Sequence, residues 1–250
     1  MNSANETIMS MLNHRTIRKF KNDELPEDLV QTLLDVANMS PTSTGMQTCS
    51  IIRVTDLEIK KELATVGGQA YLKDSPVFFV FVADLFRNYM IAKEQGKESN
   101  ALVDADRFLQ AFTDAVISAQ SVAVAAESLG LGTNYFGCIH NDPKKIIDLL
   151  KLPKYTFPAT ALGIGYKDQE PMQKPRMDKS MKYFENEYNV FDNYLKEIAD
   201  FDKVMQDYYD LREHGKRSDK FSEQVVTKFN KTRENRANVF KIIKQQGIII

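Results

Sequence analysis

Apolar residues recur along this chain in two rhythms. Over residues 27–39, Leu29, Val30, Leu33, Leu34 and Ala37 fall three and four apart, the spacing that gathers one face of a helix. Pro26 stands at its first turn, where a missing N–H costs nothing. Residues 6–13 read as a short helix before it, and residues 57–66 as a later one that stops at Gly67 and Gly68. Residues 77–82 (VFFVFV), after Pro76, form instead an unbroken run of aromatic and β-branched residues. That is the pattern of a central strand covered on both faces. Residues 50–54 and 157–166 read as further strands, and residues 144–150 as a short helix after Pro143. The longest element is a helix over 104–129 carrying Ala111, Ala115, Ser118, Ala119, Ala123, Ala125 and Ala126. Such small side chains let another backbone approach closely, so this helix is expected to be the most buried. It ends at Gly130-Leu131-Gly132 and leads into residues 133–137, a strand running out into a loop. Helices and strands alternate irregularly and no GxGxxG follows the first strand. The expectation is a layered α+β or α/β protein and not an obvious Rossmann domain.

Charge divides the chain. Residues 166–250 carry 32 charged side chains among 85, while the first 165 carry 35. The first two thirds can therefore supply a core, and the last third reads as surface-lying helices that wrap something, such as a second subunit. The formal net charge of -1 argues against general nucleic-acid binding, which needs a basic surface. The strongest apolar run, residues 77–83, is short of the roughly 20 residues a membrane span needs. The first residues show no basic-then-apolar signal pattern, so a cytoplasmic location is expected. Cys49 and Cys138 are too few and too far apart for a disulfide scaffold or a CxxC site. His14, His140 and His214 lie too far apart to offer metal ligands at local spacing, so no metal is expected.

Several short segments could carry chemistry. Residues 14–20 (HRTIRKF) set three cations and a hydroxyl at a helix end; this is either a solvated basic turn or a grip on phosphate oxygens, which arginine forks match. Lys174-Pro175-Arg176 holds two more cations apart on a rigid proline. Residues 40–47 (SPTSTGMQ) offer hydroxyls and an amide for a sugar-like chain, or form an ordinary polar loop. Gly67-Gly68-Gln69 combines close backbone approach with a two-way hydrogen-bonding amide, or merely caps a helix. Residues 130–138 (GLGTNYFGC) can turn backbone N–H groups toward a flat ligand, or make a tight turn. Cys138 reads more readily as a small buried apolar residue than as a reactive thiolate. No GxSxG is present.

Taken together and in order, HRTIR, the Ser/Thr loop, GGQ, AAESLGLG followed by YFGC, and KPR resemble the nitroreductase superfamily. The resemblance is closest to its oxygen-insensitive NADPH nitroreductase and flavin reductase P group and runs from about residue 6 to about residue 225. It implies an α+β fold with a central mixed sheet flanked by helices. It also implies a core over 1–165 and a C-terminal extension over 166–250 that embraces the partner of a homodimer. FMN is the implied cofactor and NADPH the co-substrate. Carried over by position, the FMN-binding set is His14, Arg15, Thr16, Arg18, Thr42, Thr44, Gln69, Tyr135, Phe136, Gly137, Cys138, Lys174 and Arg176. Arg15, Lys174 and Arg176 would neutralise the phosphate; Arg18 would face the pyrimidine edge. Arg212 and Arg217 match arginines that receive the NADPH phosphate. Thr42 and Thr44 stand where the family has serines, and Cys138 where it has glycine.

The resemblance therefore implies an FMN-dependent NADPH oxidoreductase acting by a ping-pong mechanism on small-molecule electron acceptors: nitroaromatics, quinones or flavins. No protein acid or base is needed, because the flavin carries the chemistry. A flavin reductase or a disulfide or azo reductase using the same site is the alternative. A flavin-binding sensor without turnover is a third reading, disfavoured by the basic stretch around Arg212 and Arg217.

Overall fold

The computed structural model describes residues 5–212 and 219–250. Residues up to Pro171, together with Arg233–Ile250, form one compact unit, and Met172–Thr232 a second. Arg233–Ile250, placed by charge with the C-terminal extension, thus packs with the core.

In the first unit, helices α1 (Glu6–Leu12) and α2 (Glu27–Asn38) precede strand β1 (Cys49–Arg53). Then come α3 (Leu57–Gly67), β2 (Val77–Asp84), α4 (Phe86–Glu94) and the long α5 (Ala105–Ser128). Strand β3 (Gly132–Tyr135), α6 (Pro143–Leu149) and β4 (Thr156–Gly165) complete the sheet. The strand order is β1-β2-β4-β3, and every neighbouring pair is antiparallel. Among the described residues parallel contact is confined to the one-residue bridges Thr16–Thr133 and Asp104–Ile249, so the sheet expected to be mixed is antiparallel in its four strands. The connections through α3 and α6 start and finish at the same end of the sheet. Alternating helices and strands in a sequence do not distinguish that from a crossover.

Every residue of β2 is buried. Val77, Phe79 and Phe81 pack toward α2 and α5, while Phe78, Val80 and Val82 pack toward α3 and α6. Side chains alternate across a strand, so a strand covered on both faces must be apolar throughout. Helix α5 buries Ala111, Ala115, Ser118, Ala119, Val122, Ala123 and Ala126 along one stripe. Asp104 caps its first turn by accepting from the Arg107 N–H at 2.9 Å. By length and composition alone α5 could cross a membrane; its packing on the sheet makes it the core helix instead. No residue of helix α4 is fully buried, and its half-buried Tyr89 packs at the edge of the cluster that holds Phe108 and Phe157. After the second unit, α10 (Glu234–Ala237) and α11 (Val239–Gln245) close the first, and Ile242, Ile243 and Ile248 cluster with Ala83, Phe108 and Phe157.

The second unit holds α7 (Tyr194–Glu197), α8 (Ala199–Arg212) and α9 (Phe221–Phe229). Its core is small: Met205, Tyr208 and Tyr209, with Phe201 and Phe221 stacked edge-on at 5.3 Å. Asp202 ties α8 to α9 by accepting from the Ser222 N–H and Oγ at 2.9 and 2.6 Å.

Candidate functional site

Residues 14–18 leave α1 and run beside β3. The Ile17 N–H donates to the Thr133 carbonyl at 2.9 Å. Gly132 permits that approach: a Cβ there would lie 2.7 Å from Ile17 Cγ1. Glu127, in the last turn of α5, accepts from His14 Nδ1 at 2.8 Å and from the Thr133 hydroxyl. A carboxylate is misplaced at the negative end of a helix, and the hydrogen bonds from His14 and Thr133 offset that cost. Arg15 rests one Nη on the Asn13 carbonyl at 3.2 Å, and the Arg18 N–H donates to Gln169 Oε1 at 3.0 Å. A cleft of about 180 Å3 opens here, with His14, Arg15, Lys167 and Glu170 in its wall.

Beyond β3 the exposures alternate. Tyr135 and Gly137 face outward; Phe136 and Cys138 turn in. The Phe136 ring is fully buried against Phe78 and Tyr71, at 5.4 and 5.9 Å between centroids. Cys138 lies under Gly67, where a Cβ would come within 2.7 Å of its sulfur, and its Sγ reaches Gln69 Oε1 at 3.6 Å. Of the four residues carried over from the resemblance here, the side chains of Phe136 and Cys138 thus belong to the core. What they can offer a ligand is backbone. Tyr135 donates its hydroxyl to Gln120 Oε1 at 3.1 Å, and burial, then the Glu127 charge, pushes its phenol well up. Gly137 faces open space.

Two cations escaped the sequence reading. Arg233 and Arg236 both donate to Asn141 Oδ1, at 2.9 and 3.1 Å, and Arg236 also reaches the Gly137 carbonyl at 3.3 Å. Among the described residues neither pairs with a carboxylate. They bring positive charge to the 135–138 loop from the far end of the chain, with no local motif to announce it.

Thr42 and Thr44 lie elsewhere. Their loop is tied to α5 at Asp114, whereas His14 is tied to it at Glu127. Thirteen residues of helix separate those anchors, about 20 Å at 1.5 Å per residue. One chain thus anchors the two halves of the expected binding set at separate stations on α5, Asp114 near its middle and Glu127 in its last turn. Lys174 and Arg176 belong to the second unit, where Arg176 Nη1 donates to the Lys174 carbonyl at 2.6 Å. Arg212 ends α8, and Arg217 lies outside the described residues.

Among the described residues no cluster of three His, Cys, Asp or Glu side chains could hold a metal ion. Burial pushes the Cys138 thiol up, more than the nearby Arg236 and Arg233 charges draw it down. Burial likewise raises Cys49 to about 11. A thiol at that value is roughly one-thousandth thiolate at pH 8, and the thiolate is the nucleophile. Iodoacetamide is therefore expected to label Cys49 of the native protein about a hundred-fold more slowly than in the urea-unfolded chain, and Cys138 more slowly as well, both followed by mass spectrometry. Rapid labelling of Cys138 in native protein would mean that its thiol is exposed and activated.

The described residues thus combine an α+β core with a polar cleft, lined by His14, Arg15, Lys167, Glu127 and Glu170, that opens beside Leu131 and Gly132 of the 130–138 loop. The chain belongs to the nitroreductase family: residues 11–166 match the family's model and residues 174–250 that of its C-terminal domain. It is 38% identical over 225 residues to the FMN reductase (NADPH) of Bacillus subtilis strain 168, covering 89% of this chain and 90% of that one. It superposes on the NfrA1 nitroreductase of B. subtilis with a TM-score of 0.91 at 35% identity, over 96% and 98% of the two chains. With the NADPH:FMN oxidoreductase of Vibrio harveyi complexed with NAD+, the TM-score is 0.86 at 31% identity, over 97% and 98%.

Proposed function

We propose that this protein is an FMN-dependent NADPH oxidoreductase that passes electrons to nitroaromatic, quinone or flavin acceptors by a ping-pong mechanism. The observation that carries this reading is the pairing of residues 14–18 with Thr133 of β3, the strand that runs on into the 135–138 loop, with cations on both segments. The residues present fit FMN. Arg15 and Lys167 line a polar cleft, Gly137 leaves its surroundings open, and the half-buried Gln69 amide supplies both a donor and an acceptor. When bound, FMN supplies a ring that takes hydride from a nicotinamide and hands electrons to a second substrate.

The chain's own residues bind and orient. Arg15, Lys174 and Arg176 neutralise the phosphate, and Arg18 sets positive charge near the ring's pyrimidine edge, where a reduced flavin is anionic. Gln69 meets the ring's polar edge. Thr16, hydrogen-bonded through its neighbour to β3, and the backbone of residues 136–138 fix the cofactor's seat. No side chain is required to move a proton for the nicotinamide step. The acceptor class depends on the shape of the open face, so a flavin, disulfide or azo reductase would use the same residues.

A homodimer is part of this proposal. The α5 anchors of the Thr42–Thr44 loop and of His14, Asp114 and Glu127, lie about 20 Å apart along the helix, so we assign such a loop at the Arg15 cleft to a second copy. Exposed apolar residues on α1 (Ile8, Met9, Met11, Leu12) and on α5 (Leu109, Val116) supply a face for it. We place the protein in the cytoplasm.

The deciding experiment mixes purified, FMN-loaded protein with NADPH under anaerobic conditions. The yellow flavin band should bleach within the mixing time of a stopped-flow instrument and return on adding nitrofurazone or a quinone. FAD in place of FMN, or a flavin that NADPH does not bleach, overturns the assignment. Arg212 and Arg217 carry the coenzyme preference. A charge-assisted hydrogen bond to phosphate is worth about 1.5–3 kcal/mol. Arg212→Ala should therefore lower kcat/KM for NADPH roughly ten- to a hundred-fold, and the double variant further, with little change for NADH. Equal losses for the two coenzymes would remove these arginines from the 2′-phosphate.

A further inference from the structure

Between α2 and β1 the chain adopts a loop that its residues do not favour. Thr44, Gly45 and Gln47 have φ of 51°, 71° and 52°. Positive φ suits glycine, but it costs free energy for a β-branched threonine and persists only where surroundings enforce it. Apolar packing does not enforce it here. A cavity of about 310 Å3 adjoins the loop, with Thr42, Gln47, Cys49, Arg87 and Asp114 in its wall.

Hydrogen bonds hold the loop instead. Asp114 Oδ1 accepts from the Ser43 N–H at 2.8 Å. Its Oδ2 accepts from the Thr48 N–H at 3.3 Å and from the Thr48 hydroxyl at 2.8 Å. One carboxylate therefore clamps both ends of the strained turn. From α4, Arg87 donates to the Gln47 carbonyl and Asn88 Nδ2 to the Met46 carbonyl at 2.9 Å, securing its far side. Asp114 is only 1% exposed and sits in the apolar stripe of α5, next to Ala115 and one turn from Ala111 and Ser118. An aspartate there is costly to desolvate, and an alanine would pack without that cost. What the aspartate contributes in return is the shape of residues 43–48, and with it the placement of the Thr42 and Thr44 hydroxyls.

We infer that Asp114 is a positioning residue that acts in trans, shaping the Thr42 and Thr44 loop for the flavin site centred on the other copy's Arg15. This rests on the FMN reading above. The trans assignment rests on the dimer reading above and agrees with the helix: the carboxylate that shapes the loop and the one that holds His14 are about 20 Å apart on the same rod. Neither end can bend to the other.

The test uses full-length dimers and FMN itself, titrated by flavin fluorescence. Asp114→Ala and Arg15→Ala are made separately and as a mixed dimer purified through two different tags. Each homodimer is expected to keep the helical signal of the wild type and to bind FMN at both sites roughly ten-fold or more weakly. In the mixed dimer one site receives an intact Arg15 and an intact Asp114, and the other receives neither. Its titration should split into one site of wild-type affinity and one weaker than in either homodimer. Wild-type FMN affinity in the Asp114→Ala homodimer overturns the inference, and so does a mixed dimer lacking a wild-type site. Should Asp114→Ala not fold, Asp114→Asn, equal in size but with one acceptor oxygen replaced by a donor, takes its place in every arm with the same expected split. Failure of the wild-type chain to bind FMN would instead remove the cofactor assignment itself.

Discussion

Replacing Arg15, Lys174 and Arg176 together with alanine is expected to weaken FMN binding by roughly a thousand-fold or more, while riboflavin affinity changes by less than about ten-fold. Each charge-assisted contact to a phosphate is worth about 1.5–3 kcal/mol. Three of them together come to about 4.5–9 kcal/mol, above the ~4 kcal/mol that corresponds to a thousand-fold. Riboflavin lacks the phosphate, so the difference between the two ligands isolates these contacts from any general damage. The fold should tolerate the change. Arg15 and Arg176 donate to carbonyls of their own segments, and neither is in the core. Isothermal titration with both flavins decides it. An equal loss of both would mean that the cations hold the protein's shape and not the phosphate.

The second large effect concerns Phe136, which sits in the middle of the candidate site and yet serves the core. Its ring is 0% exposed. Its N–H donates to the Ala161 carbonyl at 2.8 Å, and its Cε2 lies 2.9 Å from where a Cβ on Gly163 would stand, so the ring fills space that a glycine leaves open. Phe136→Ala should cost about 3–5 kcal/mol of stability, the usual result of emptying a buried aromatic site. For a chain of this size that is a fall in Tm of roughly 2–4 °C per kcal/mol. Urea denaturation of the flavin-free protein is the direct measurement, and Phe136→Leu should lose distinctly less. Unchanged stability with abolished FMN binding would make the ring a ligand contact.

Much of the fold was legible because burial imposes a rhythm. The stripe on α5 and the unbroken run of β2 reflect covering on one and on two faces, and their bounds follow within a residue or two. End signals are equally local: Pro143 opens α6 and Gly68, at φ 61°, closes α3. Helix α4 carries only a short stripe, Phe86, Tyr89 and Met90, and these stay half-buried, so its rhythm is faint. The strand that begins at Gly132 is four residues long, too short for alternation to say which of Tyr135, Phe136, Gly137 and Cys138 turn inward.

By itself, the sequence determined the type and order of the main elements, the apolar core and the motifs that place the chain in its family. Those properties reside in short stretches, where neighbours along the chain set backbone preference and periodicity sets which face is buried. Tertiary structure alone decided what each face is buried against. It turned Phe136 and Cys138 into the core, brought Arg233 and Arg236 onto Asn141 from about ninety residues away, and gave the four strands antiparallel partners. It also held His14 and the Thr42 loop at two stations on one rigid helix, a separation that periodicity cannot encode because it depends on which distant segments meet.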